Sequence, residues 1–439
     1  MWVSLLTVIL IVAALFLFTP QFELVKPVIK PVTSLEMIGQ KKIVSINASD
    51  DKSGIRHIDI SIVQEDKRHT LASLDFLEKR VLEKPVTVEI NPLHLKFRDG
   101  EATLIVTAKD YSLFGNTTRL VRKVMIDMTP PAISLVSSYH YINPGGSCLA
   151  LYKVSKEVEK SGVMTESDFS LGYPVSLNGR TVYMAYFAVP MNIQKGSVQF
   201  SVYALDKSGN EASLSIPCYV KPKNFRKDVV ELPDAFMSRK MPEFQQRDMS
   251  LQGKSPIESF TYINQMWRSE NDKTIRSICG KSAGSQLWEG PFLRMKNSAP
   301  MAMFGDVRTY TYNKQKVGDS VHLGVDLAST AHVPIEAANN GTVVFTGYLG
   351  IYGNTVIIDH GLGVFSLYAH MSEVKTKAGQ QVAKAAVIGS SGQTGLAGGD
   401  HLHFSIIVGG AFVNPVEWWD PHWIRDNVDK KIAEASQLR

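Results

Sequence analysis

Four regimes of hydrophobic pattern follow one another along the chain. Met1 to Phe18, MWVSLLTVILIVAALFLF, carries no charged side chain, and about eighteen helical residues span about 27 Å, just enough to cross a bilayer. From about 38 to 220, alternating stretches such as IVSINASDDKSGIRHIDISIV and ATLIVTAKD are separated by Gly, Asn, Asp and Pro, which predicts short strands in β-sandwiches. Between 221 and 285 the spacing turns helical. In SPIESFTYINQMWRSENDKTIRSI, Ser255, Pro256 and Glu258 sit at cap, first-turn and capping-box positions, and Ile257, Phe260, Ile263 and Trp267 share a face. From 286 to 424 glycine-punctuated strands return, as in GTVVFTGY, NTVIIDHG and HLHFSII, so an all-β domain is expected there.

A phrase recurs within the sandwich region. AKDYSLFGN, Ala108 to Asn116, and ALDKSGN, Ala204 to Asn210, each follow an alternating strand and precede another. Gly and Asn accept positive φ at low cost, which suits hairpin turns. DMTPP, Asp127 to Pro131, marks a joint, because two prolines cannot donate to a β-ladder. The predicted organisation is a membrane anchor at 1–20, sandwiches at 38–130 and 131–220, a helical connector at 221–285, and a β-domain at 286–424. The fold class is mainly β, with antiparallel sheet in the last domain.

At 439 residues the chain exceeds one core's capacity, about 150 residues per domain being usual. A hydrophobic content of 44% with 20% charged residues fits a folded protein and excludes a multi-span membrane protein. The net charge of +5 is not gathered into a basic block, so nucleic acid is not an expected partner, whereas weak attraction to an anionic wall or lipid surface is. Lys and Arg are absent before Lys26 and no A-x-A-like site follows, which favours an uncleaved anchor over a signal peptide. The flanking Lys26 and Lys30 lie on the side expected to face outward, so the orientation rests on function and not on charge. The cysteines, Cys148, Cys218 and Cys279, are too few for a disulfide framework and lack CxxC spacing. Either Cys148 and Cys218 pair on export or all three are buried thiols.

Chemistry concentrates near the C-terminus, where seven of the eleven histidines lie at or beyond His322. In HLGVDLA, strand alternation puts His322, Gly324 and Asp326 on one face and Leu323, Val325 and Leu327 in the core. In HLHFSII, His401, His403 and Ser405 likewise oppose Leu402, Phe404 and Ile406. A catalytic zinc needs about three N or O ligands and one open position, and His322, Asp326 and one of His401 and His403 supply that set. The remaining histidine and His370, ending GVFSLYAH, would then stand beside the open position as base or oxyanion stabiliser. His332, His360 and His422 read as structural or surface residues.

These motifs resemble the lysostaphin-type, or LytM-type, peptidoglycan endopeptidases, whose hallmarks are H-x-x-x-D, a Y-A-H-like segment, and G-x-H-L-H-F followed by N-P. HLGVDLA, LYAHM, GGDHLHF and VNP occur here in that order between His322 and Pro415. The resemblance implies a zinc metalloendopeptidase with His322, Asp326 and His403 as metal ligands and His370 and His401 as catalytic histidines. His401 is then read as the base and His370 as the oxyanion stabiliser, with the division of roles open. Gly398, Gly399 and Asp400 replace the usual residues before H-x-H and leave the ligand set intact. The implied substrate is the stem or cross-bridge peptide of peptidoglycan. The upstream phrases resemble the immunoglobulin-like modules of bacterial surface proteins, which implies a spacer, or else adhesion and substrate presentation. The expectation is therefore a single-pass cell-membrane enzyme with its bulk in the periplasm or outside the cytoplasm. The alternative is a non-catalytic envelope protein that binds peptidoglycan or activates a separate wall amidase.

Overall fold

The computed structural model describes residues 20–137, 140–165, 168–193 and 199–437. The expected anchor at 1–20 lies outside the described residues but for Pro20, and among those described no helix is long and apolar enough to cross a membrane. The chain is mainly β and divides into two compact units, residues 1–132 with 156–159 and 205–212, and the remainder.

In the first unit the order Met37–Ile38, Thr117–Ile126, Gly100–Asp110, Ile55–Gln64, Lys67–Asp75 builds a five-stranded sheet. Val28–Pro31, Lys42–Ser49 and Glu83–Ile90 build a second sheet of three. Alternate residues of both, among them Val44, Ile46, Ile60 and Val106, meet in one buried core, as period-2 patterning requires.

In the second unit a four-stranded sheet, Tyr173–Leu177, Arg180–Ala188, Ser147–Val154 and Ile133–Leu135, is buried on both faces. Cys148, Ala150, Tyr152 and Phe187 pack among themselves with Phe200 and Val202. The opposite face, Leu149, Leu151, Met184 and Tyr186, joins the core of the C-terminal domain. The near-continuous apolar run in SCLALYKV follows from this two-sided burial. Cys148, Cys218 and Cys279 are free thiols, the first and last buried.

The C-terminal domain is an eight-stranded antiparallel sheet. Its order is Ala299–Ala302, Val325–Ala328, Leu402–Val408, Val364–Met371, Asn354–Asp359, Gly341–Tyr348, Gln381–Val382, with Ala411–Val413 also pairing Leu402–Val408. Register places Asp326 opposite His403 and His403 opposite Ala369 on three adjacent strands. One face carries Val325, Leu327, Leu402, Phe404 and Ile406 into a core with Trp288 and Trp418. The other, with Phe365, Leu367, Ala369 and Ile407, packs against the connector helices.

In the connector, Ser255 accepts from the Glu258 backbone N–H while the Glu258 carboxylate accepts from the Ser255 N–H, the anticipated capping box. A π-turn, Ile263–Trp267, continues the helix into Arg268–Ile278. The strand Lys227–Glu231 pairs parallel to Val307–Tyr312, which ties the connector to the segment that precedes His322.

Candidate metal and catalytic site

His322, Asp326 and His403 converge as a buried trio. His322 Nε2 and His403 Nδ1 each lie 2.9 Å from Asp326 Oδ1 and 3.0 Å from one another. The outer nitrogen of each ring is already engaged. His322 Nδ1 donates to the Met303 carbonyl at 3.0 Å. His403 Nε2 donates to Ser405 Oγ at 3.0 Å, and that hydroxyl donates to the Leu323 carbonyl at 2.9 Å. Both inner nitrogens therefore present lone pairs, and with the carboxylate oxygen three acceptors face one point. Such an arrangement is repulsive by itself and stabilised by a cation. Its edges are close to the roughly 3.3 Å between ligands of a tetrahedral zinc with bonds of about 2.0–2.1 Å. The residues present fit the metal.

Local folding explains how the trio forms. The strand begins only at Val325, so His322 and Leu323 precede it, and Leu323 lines the cavity instead of entering the core as alternation predicted. His322 is held by a turn: its N–H donates to the Asp306 carbonyl at 2.9 Å and its carbonyl accepts from Gly305 at 2.8 Å. Gly324 has no room for a side chain, since a Cβ there would meet His403 Nε2, the Phe404 carbonyl and Ser405 Oγ, each at 2.6 Å. Burial by itself would raise the Asp326 carboxyl, but contacts with His322, His401 and His403 outweigh it and hold the group well below the usual carboxylate range. Burial lowers His403 to about 4.

His370 and His401 stand beside the trio, with ring centroids 4.8 Å apart. His401 Nδ1 donates to the Gly399 carbonyl at 2.9 Å, and its Nε2 lies 3.6 Å from Asp326 Oδ1. Although burial opposes it, that carboxylate raises the His401 pKa above the ordinary histidine value. His370 Nδ1 donates to the Thr394 carbonyl at 2.9 Å. Burial and the neighbouring imidazoles push His370 well below the ordinary value.

His370 reaches this face by a device that alternation alone would not give. Tyr368 belongs to the opposite core, so a regular strand would send His370, two residues on, there too. Between the pairs Val356↔Tyr368 and Asn354↔Met371 one residue faces two, a β-bulge, and His370 takes φ 61°. The bulge puts Ala369 and His370 on the same side. GSSGQTG secures it: Thr394 Oγ1 donates to the Met371 carbonyl at 2.9 Å and accepts from the Asn354 N–H at 2.9 Å.

A cavity of about 360 Å³ opens onto the trio and includes His370 and His401. Leu232, Pro233 and Phe236 of the connector form part of its wall, with Arg268 and Arg308. Arg308 and Tyr352 were not singled out from sequence. Arg308 Nη2 lies 3.2 Å from Asp326 Oδ2, and the Tyr352 ring packs 5.4 Å from that of His403. The alternating RTYTY strand gave no signal that its arginine turns toward the site.

The remaining histidines lie away from the trio. His360 is buried, with Nδ1 2.7 Å from the Asn340 carbonyl and Nε2 2.7 Å from Ser366 Oγ. His332 and His422 are exposed. Asp400 accepts from Ser391 Oγ at 2.6 Å and from the His332 N–H at 3.2 Å, joining these two segments.

The trio and its cavity make a candidate metal site on this antiparallel sheet, and the domain that carries it is shared with known peptidases. Residues 320–415 match Peptidase family M23, and the C-terminal domain is a Peptidase M23 domain of the LytM type. The DD-carboxypeptidase/endopeptidase Mpg of Neisseria meningitidis serogroup B is 42% identical over 96 residues, 22% of each chain. The peptidoglycan DD-endopeptidase ShyA of Vibrio cholerae is 38% identical over 96 residues, also 22% of each. The catalytic domain of lysostaphin from Staphylococcus simulans is 26% identical, covering 28% of this chain and 92% of that one, with a TM-score of 0.24. The chain spans about a fifth of the length of the curated relatives it matches.

Proposed function

We propose that this protein is a zinc-dependent endopeptidase that hydrolyses amide bonds in the stem or cross-bridge peptides of peptidoglycan. The observation that carries this reading is the convergence of three lone pairs, on His322 Nε2, Asp326 Oδ1 and His403 Nδ1, in the floor of a cavity that is also lined by His370 and His401. Those three residues would hold zinc, which when bound supplies Lewis acidity to the scissile carbonyl and to a water. The names of the two relatives, a DD-carboxypeptidase/endopeptidase and a peptidoglycan DD-endopeptidase, favour a bond between D-amino acids as the target.

The chain's own groups supply the rest. With Nδ1–H held by Gly399, His401 presents Nε2 to take a proton, and Asp326 at 3.6 Å stabilises the imidazolium that results. His370, buried and neutral, also presents Nε2. It can donate to an oxyanion only after that nitrogen gains a proton, so its role as stabiliser depends on proton transfer within the pair. Apolar connector side chains on the cavity wall lower the local dielectric, which strengthens each polar contact. The uncharged stretch Met1–Phe18 would anchor the enzyme in the cell membrane with its bulk outside the cytoplasm, and the sandwiches, read as immunoglobulin-like spacers, would set the reach of the domain.

The test is mass spectrometry of fragments released from purified peptidoglycan by residues 20–439, with zinc and with a chelator. New peptide ends that require zinc support the proposal and name the bond. Release of nothing from several wall types would overturn it in favour of a wall-binding protein or an activator of a separate amidase.

A further inference from the structure

The two recurring phrases of the sequence fold alike, yet only one of them is electrostatically closed. After the strand Ser201–Asp206, Asp206 Oδ1 accepts from the Ser208 N–H at 2.9 Å and Oδ2 accepts from Asn210 Nδ2 at 3.0 Å. The Asp206 N–H returns to the Asn210 carbonyl at 3.0 Å. After Gly100–Asp110 the same contacts recur: Asp110 Oδ1 with the Ser112 N–H at 3.1 Å, Oδ2 with Asn116 Nδ2 at 2.8 Å, and the Asp110 N–H with the Asn116 carbonyl at 3.1 Å.

At the second phrase a cation is built in. Lys156 Nζ lies 2.7 Å from Asp206 Oδ2, 2.7 Å from Asp127 Oδ2 and 2.6 Å from the Thr129 carbonyl. At the first phrase the neighbours of Asp110 are instead two more carboxylates, Glu23 and Asp50, and one oxygen from each of the three lies within 4.8 Å of the others. Among the described residues no Lys, Arg or His comes within ion-pair distance of any of them. All three are buried, Glu23 and Asp50 at 3% exposure and Asp110 at 0%. Glu23 Oε1 and Asp50 Oδ2 are buried without a hydrogen-bond partner, while their other oxygens accept from the Ser53 and Gly54 N–H groups at 2.9 and 2.7 Å.

Three buried carboxylates with two open oxygens and no counter-charge are unstable unless protonated or neutralised by a cation. The all-oxygen donor set suits a hard ion held by a flexible loop, not zinc. We infer that Glu23, Asp50 and Asp110 form a calcium site in the first sandwich, where the ion takes the place that Lys156 fills at the second phrase. The site is independent of the peptidase trio, and neither reading depends on the other.

The experiment is calcium titration of the full-length, zinc-loaded protein in otherwise metal-depleted buffer, by calorimetry and thermal unfolding. One ion should bind per chain with a Kd of about 10⁻⁴–10⁻³ M, and the unfolding temperature should rise by several degrees at about 10 mM. Asp50→Asn keeps the acceptor for Gly54 but not the second anionic oxygen, and should weaken binding at least about tenfold. Glu23→Lys supplies an ammonium as Lys156 does. It should remove the calcium response while unfolding, without calcium, at or above the wild-type temperature. Absence of heat and of any thermal shift in the wild-type protein, or undiminished calcium affinity in both variants, overturns the inference.

Discussion

The guanidinium of Arg308 holds Asp326 Oδ2 at 3.2 Å, the oxygen that His322 and His403 leave free. One carboxylate thus faces the metal position with one oxygen and an arginine with the other, so its plane is fixed before any metal arrives. Asp326 and Arg308 are both largely buried, so the pairing acts at low dielectric and orients strongly. Arg308→Ala should lower zinc affinity by about 10–100-fold, with Arg308→Lys recovering part of it. A competition titration against a chromophoric chelator measures this apart from activity, and unchanged affinity in both variants would remove Arg308 from the site.

Gly324 offers a second test of how the trio is built. A methyl group there would collide with His403 and Ser405 together, and overpacking of this kind costs about 1–3 kcal/mol. Gly324→Ala should unfold at lower temperature and retain less than one equivalent of zinc after dialysis. A variant with full metal content and wild-type stability would mean that the backbone relaxes freely.

The proposed proton-handling pair should separate from the proposed ligands by metal content. His370→Ala and His401→Ala should each cut peptidoglycan hydrolysis by about 10²–10⁴-fold while zinc stays bound, whereas His403→Ala should lose both. Elemental analysis beside fragment release distinguishes these cases. Loss of zinc in His401→Ala would reassign that residue as a ligand.

Acid stability should carry the signature of His360. Burial lowers its pKa to about 4, below the ordinary value of about 6.5. The unfolded chain therefore takes up this proton first, and stability falls as pH drops from about 6.5 to about 4. At pH 5 the loss from this one group is about 2 kcal/mol. His360→Asn should be less stable near pH 7 yet show a shallower acid limb. Denaturant unfolding across pH 4–7 reads the slope, and parallel curves for the two proteins would refute the assignment.

The sequence by itself pointed to the candidate trio, because imidazole is concentrated in the last domain, alternation puts His403 and Ser405 on one strand face, and the resemblance of the motifs singled out His403 over His401. It also determined the mainly β class and the capping box at Ser255. Tertiary structure decided the rest. His370 lines the cavity beside the trio only because a bulge breaks the alternation that pattern reading assumes. Arg308 reaches Asp326 because its strand is docked beside the connector, eighteen residues away along the chain. Whether a repeated Asp-x-Ser phrase finds a lysine or two more acids depended on which segments pack against it, since electrostatic pairing acts through space and leaves no period in the sequence.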